Sequence, residues 1–180
     1  SYTTLGELCI ETGIDPQHIS GYRRALSVDS ALATVSFVSD GVRYERRSFI
    51  SYPANVLAIR FSASEKGRQH LRLTYGHNPL SEGTLQPEGT DGLVFRGRLD
   101  NNGMEYVVRL HVDARGGTVS NEGGALKVDG ADEVVFLLTA DTDYRPNYDP
   151  DFNDPKAYVG VRPDETTAAW MKGAVRKGWK

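Results

Sequence analysis

Residues Leu32–Ser39 (LATVSFVS) and Val42–Ser51 (VRYERRSFIS) stand on either side of Asp40-Gly41, and their reading decides the fold. Asp-Gly readily takes up the positive φ angles of a two-residue hairpin turn, and both flanking runs are rich in β-branched and aromatic residues. In the first arm Leu32, Thr34, Ser36 and Val38 share one face, with Ala33, Val35, Phe37 and Ser39 on the other. The second arm sets Val42, Tyr44, Arg46 and Ser48 against Arg43, Glu45, Arg47 and Phe49. A charged face that turns apolar near Phe49 predicts a hairpin with one side mostly in solvent.

Working outward, the same pattern repeats. Residues 56–64 (VLAIRFSAS), 69–75 (QHLRLTY), 92–100 (GLVFRGRLD), 104–114 (MEYVVRLHVDA) and 133–139 (EVVFLLT) are short β-like runs. Each is closed by Gly, Asn, Asp or Pro, and Asn101-Asn102-Gly103 joins two of them as another tight turn. The spacing predicts an all-β, antiparallel sandwich of eight or nine strands with no helix between them. Residues 76–91 read as a polar surface loop crossing between sheets, and residues 142–163 as a second irregular stretch. Only at Pro163-Asp164-Glu165-Thr166 does the period change, with Ala168, Met171, Ala174 and Val175 recurring at helical spacing. The division is thus a sandwich over 1–162 and a helix over 163–180, the helix running to Lys180 without a cap.

Composition narrows the function classes. With 39% hydrophobic and 25% charged residues in 180, the chain has the make-up of one ordinary globular domain. No run approaches the roughly 20 apolar residues of a membrane helix. The 21 basic residues are scattered among 24 acidic ones, for a net charge of −3, which gives no footprint for nucleic acid. Cys9, the single cysteine, lies in the apolar alternation Leu8-Cys9-Ile10 and reads as a small core residue. The opening Ser1-Tyr2-Thr3-Thr4 has neither a basic nor an apolar leader region, and the pattern reads as starting midway through a domain.

Chemistry-bearing motifs are few. His18, His70, His77 and His111 have no metal-ligand spacing, and the local signatures of acyl, phosphoryl and hydride transfer are missing. No catalytic residue, metal or cofactor is assigned. Asp141, Asp143, Asp149, Asp151 and Asp154 form an acidic cluster that could serve glycoside hydrolysis or simply build loops. Asp149, Asp151 and Asn153 imitate the start of a calcium loop, but Asp154 stands where its glycine belongs and Gly160 where its glutamate belongs. Tyr144, Tyr148, Phe152 and Tyr158 crowd the same stretch. Flat amphipathic rings beside carboxylates and Arg145 suit a sugar-binding surface, and equally suit the packing of a long loop. Asp143, Tyr144, Arg145 and Tyr148 are the candidate substrate-binding residues.

Residues 2–11 (YTTLGELCIE), 21–26 (GYRRAL), 29–35 (DSALATV) and 41–51 (GVRYERRSFIS) resemble glycoside hydrolase family 95, the α-L-fucosidase family. The likeness continues through Pro53-Ala54-Asn55-Val56, 106–112 (YVVRLHV), Gly116-Gly117 and 130–144 (GADEVVFLLTADTDY). It implies part of an amino-terminal super-β-sandwich joined by a linker helix to an (α/α)6 barrel of the same polypeptide. That barrel holds the catalytic groups for inversion, and none of them maps onto this chain. The resemblance further implies a non-catalytic, substrate-shaping role on α-L-fucosyl or α-L-galactosyl glycans, with a fucosylated oligosaccharide as ligand, in the periplasm or outside the cell. An autonomous carbohydrate-binding module is the alternative. Two departures stand out: residues 145–160 are longer than a minimal version needs, and the family's opening strands do not precede Ser1.

Overall fold

Asp40 and Gly41 take φ values of 49° and 80°, so both central residues of the hairpin turn are left-handed. That turn matches the right-handed twist of the strands it joins. It fixes the register of β3 (Leu32–Ser39) on β4 (Val42–Ser51), from Ser39↔Val42 to Ala33↔Ser48. The computed structural model describes residues 4–154 and 156–179. The opening Ser1-Tyr2-Thr3 of the family-like segment and Lys180, the expected end of the helix, lie outside the described residues.

Among the described residues, twelve strands form two antiparallel sheets. The eight-stranded sheet has the order β2-β3-β4-β5-β12-β9-β8-β7, and the four-stranded one β1-β6-β11-β10. In chain order the remaining strands are β1 (Gly6–Glu11), β2 (Ile19–Ser27), β5 (Val56–Ala63), β6 (Gln69–His77), β7 (Ser81–Pro87) and β8 (Gly92–Leu99). They continue as β9 (Glu105–Arg115), β10 (Thr118–Glu122), β11 (Ala125–Ala131) and β12 (Glu133–Thr142), and helix α1 (Pro163–Lys177) closes the chain. The all-β sandwich read from the sequence is the architecture found.

The core lies between the sheets because alternate residues of facing strands point there. Tyr106, Val108, Leu110 and Val112 of β9 meet Leu71 and Leu73 of β6 and Leu126 and Val128 of β11. Phe61 and Phe136 pack edge to face at 5.6 Å, and Phe95 sits between Tyr75 and Tyr106. Gly97 makes room for the Phe95 ring, since a Cβ there would come within 2.3 Å of it. On the opposite face of the large sheet α1 lays down Met171 and Ala174 against Val56, Ala58, Val135 and Leu137.

Several expectations are corrected. Twelve strands replace eight or nine, and a short 3-10 turn at Pro16–His18 interrupts them. The polar stretch over 76–91 contains β7, an edge strand whose side chains are mostly exposed and which therefore lacks an apolar alternation. Cys9 is exposed, because Leu8 and Ile10 take the inward positions of β1 and turn the thiol outward. The helix is not uncapped: it ends at Lys177, and Gly178, at φ 64°, returns its N–H to Ala174 O at 2.9 Å. Val175 is exposed, and Thr167 takes the fourth buried place of the helical stripe with Pro163, Met171 and Ala174.

Candidate functional site

The outward positions of β9 are Glu105, Val107, Arg109 and His111, and α1 covers part of them. Arg109 is only 3% exposed, so its charge must be met inside the protein. Its Nη2 donates to Asp164 Oδ1 at 2.7 Å, its Nε to Thr167 Oγ1 at 3.2 Å, and its Nη1 to Glu88. Asp164 also accepts from Arg96 Nε at 2.8 Å. Asp164 lies in the first turn of α1, where the helix dipole favours a carboxylate. Thr167, fully buried, donates its hydroxyl back to Pro163 O at 2.7 Å. One arginine thereby pins the start of the helix to the middle of the large sheet.

Beside this anchor an open groove of about 870 Å³ runs along the outer face of β7, β8 and β9. Its walls include Glu82, Arg98, Glu105, Arg162 and Asp164. Arg98 Nη2 donates to Glu82 Oε1 at 2.7 Å, and that bond, followed by the charges of Glu82, Glu105 and Asp100, pushes the guanidinium further above its ordinary range.

The irregular stretch after β12 rises from the rim of this groove. Asp143 is 9% exposed, and its Oδ1 accepts the Glu105 N–H at 3.1 Å while its own N–H reaches Glu105 O at 3.0 Å. Burial holds the Asp143 carboxyl above the usual carboxylate range, with the Glu105 charge adding to the rise and the backbone bonds opposing it. Tyr144 pairs with Val159, its ring stacks on Tyr158 at 5.8 Å and 15°, and Arg145 N donates to Tyr158 O at 2.6 Å. The structure thus brings Asp143, Tyr144 and Arg145 together as one side of a loop stem. Asp143 points its carboxyl at backbone, Tyr144 and Arg145 are exposed, and Tyr148, 97% exposed, stands further out along the loop.

Oxygens of the calcium-like segment serve local turns. Asn153 N donates to Asp151 Oδ1 at 2.9 Å, and Lys156 N to Asp154 Oδ1 at 2.9 Å. Among the described residues no group of three or more His, Cys, Asp or Glu side chains is placed to hold a metal ion. No described helix is long and apolar enough to cross a membrane. The Arg109 anchor escaped the sequence reading, although an arginine amid the apolar run YVVRLHV was a visible signal of a charge needing buried partners.

The described residues form a twelve-strand sandwich with one helix across its outer face and a polar groove beside that helix. Residues 1–147 match the glycosyl hydrolase family 65, N-terminal domain, and the chain belongs to that family. It is 30% identical over 151 residues to the Probable alpha-fucosidase A of Aspergillus niger, covering 80% of this chain and 18% of that protein. It is 28% identical over 181 residues to the Alpha-L-fucosidase 2 of Arabidopsis thaliana, covering 86% and 21%. The chain therefore spans about a fifth of the length of these relatives. A solved structure described as "Putative kojibiose phosphorylase from human microbiome" superposes with a TM-score of 0.60 at 7% identity, over 98% of this chain and 26% of that one. At that identity the likeness concerns the fold alone.

Proposed function

We propose that this chain is the non-catalytic N-terminal domain of a glycoside hydrolase family 95-like enzyme that acts on α-L-fucosyl or α-L-galactosyl glycans in the periplasm or outside the cell. Its role is to shape access to a catalytic domain carried elsewhere in the same polypeptide. The observation that carries this reading is how the acids are used. Glu82, Glu88 and Asp164 are each tied to an arginine, and Asp143 to a backbone amide. All four of these carboxyl groups have partners within the domain, whereas glycoside hydrolysis needs a pair facing the scissile bond. The α-fucosidase names of both curated relatives support the substrate class.

Tyr144, Arg145 and Tyr148 are the side chains offered for contact with a glycan or with the catalytic domain. The test is the parent enzyme with Tyr144→Ala and Tyr148→Ala. Its preference among fucosylated and galactosylated oligosaccharides should shift while its melting temperature holds. An equal loss of rate on every substrate would count against a substrate-shaping loop. A second reading, an autonomous carbohydrate-binding module, draws on the exposed Tyr144–Tyr158 stack. Titration of this chain with the same oligosaccharides decides it, because a free module must bind without the rest of the enzyme.

A further inference from the structure

The groove beside α1 is built from rows of side chains that the helix leaves open. Cross-strand register sets Glu82 opposite Arg98 and Arg98 opposite Glu105, and in the next row Thr84 opposite Arg96 and Arg96 opposite Val107. These residues point outward because Leu85, Phe95, Leu99, Tyr106 and Val108, which alternate with them, turn to the core. Arg162, Pro163 and Asp164 form the wall at the start of α1. The helix then leads away from the groove: Arg96 and Arg109 hold its first turn, whereas Trp179, past its last turn, packs on Phe49 of β4. Within the lining, the carboxylates of Glu82, Glu105 and Asp164 balance the guanidiniums of Arg96, Arg98 and Arg162, so the groove carries no net charge. Arg98 is bonded to Glu82 and Arg96 to Asp164. Among the described residues the Glu105 carboxylate, the Thr84 hydroxyl and the Arg162 guanidinium have no hydrogen-bond partner.

We infer that this groove binds a neutral, hydroxyl-rich ligand of the oligosaccharide class, with Arg98, Glu105 and Arg162 as its hydrogen-bonding residues and Thr84 at its edge. A phosphate or nucleic-acid ligand needs an excess of cations, which the balanced lining does not give. Sugar hydroxyls both donate and accept, so they match carboxylates and guanidiniums set side by side in one row. Val107 and Pro163 add apolar carbon to the lining, which suits the C–H face of a sugar ring. The volume of about 870 Å³ falls within the about 300–1,000 Å³ of ordinary ligand sites. Glu82 is held by Arg98, so Glu105 is left as a lone free carboxylate, and the groove binds without supplying the pair that hydrolysis needs. The choice of probe rests on the glycan reading proposed above, while the site is new: the sheet face instead of the Tyr144–Tyr148 loop.

The probe is 2'-fucosyllactose linked through sulfur, which resists hydrolysis, with sialyllactose and inorganic phosphate as anionic comparisons. Calorimetric titration of this chain should give a dissociation constant of about 1 mM or tighter for the neutral sugar, and weaker binding of both anions. Glu105→Gln and Arg98→Ala should each weaken the sugar by about tenfold, and Thr84→Trp, which fills the groove, should abolish binding, all with melting temperatures held. Tyr144→Ala and Tyr148→Ala should leave the affinity as it was. In the parent enzyme the same sugar should slow amide exchange in β7 and β8, as it does in this chain. No binding, binding that survives both Glu105→Gln and Thr84→Trp, tighter binding of the anions, or a loss caused by Tyr144→Ala overturns the groove as the site. So does exchange in β7 and β8 of the parent that the sugar leaves unchanged, since the groove would then be covered there. A failed substrate-shaping role would show instead in the parent's substrate preference, which this titration does not read.

Discussion

Replacing Asp164 by Asn should cost more stability than replacing Arg109 by Met, although Arg109 is by far the more buried of the two. Asn keeps the shape of Asp164 but withdraws a charge from two arginines, and Arg109 cannot regain water at 3% exposure. Removing one partner of a fully buried pair costs about 3–5 kcal/mol, and an exposed pair about 0–1 kcal/mol. Asp164 is 44% exposed and Glu88 still faces Arg109, so the loss should fall between those limits, at about 2 kcal/mol. The lost helix-dipole contact adds about 0.3–1 kcal/mol. For a domain of this size the sum lowers the melting temperature by roughly 4–12 °C. Arg109→Met instead removes the buried charge and leaves Glu88 and Asp164 to rehydrate, so its cost should be the smaller. Urea unfolding of both variants, with unchanged m-values, measures the order. A larger loss for Arg109→Met would refute the buried-charge reasoning, and a loss below about 0.5 kcal/mol for Asp164→Asn would refute the anchoring role of that carboxylate.

Other expectations follow from the same geometry. Burial raises the Asp143 carboxyl above its unfolded value, so folding takes up a proton in that window and this group's contribution to stability falls as pH rises through it. Asp143→Asn should remove that slope and match or exceed the parent's stability at pH 7; a clear loss at pH 7 would contradict it. Trp179 packs edge-on against Phe49 at 4.9 Å, with the Arg60 guanidinium 6.0 Å from its ring, and Trp179→Ala should cost roughly 1–2.5 kcal/mol in thermal unfolding. Gly97→Ala should cost about 1–3 kcal/mol by driving a methyl group into the Phe95 ring, with a change in the near-ultraviolet aromatic signal. Adding a chelator should leave the melting temperature where it was, because the Asp151 and Asp154 oxygens already serve backbone turns.

The parts of the fold that were legible in the sequence are those where burial alternates. β3 and β4 could be read because Asp40-Gly41 fixes the turn and the arms alternate about it. β9 and β12 could be read because their inward residues are continuously apolar. β7 (SEGTLQP) was not, since an edge strand with exposed side chains carries no pattern to distinguish it from a loop. β10 and β11 were hidden by Gly117, Gly123, Gly124 and Gly130, which signal turns more loudly than the short runs between them signal strands. Cys9 was misplaced because Leu8-Cys9-Ile10 is apolar throughout, and only pairing with β6 decides which residues face inward. The candidate loop was recognisable by its tyrosines and acids, but composition cannot tell that Asp143 turns to the Glu105 backbone. The Arg109 anchor joins residues 55 apart, a distance over which sequence alone carries no geometry.

The groove, the loop stem and the helix anchor lie on one side of the sandwich, and each of the four carboxyl groups traced there has an arginine or a backbone amide as partner. Fucose released from 2'-fucosyllactose, measured side by side for this chain and for its parent enzyme, tests that account most directly. The parent should liberate fucose and the isolated chain none above the blank. Sustained release by the 180-residue chain itself would contradict it.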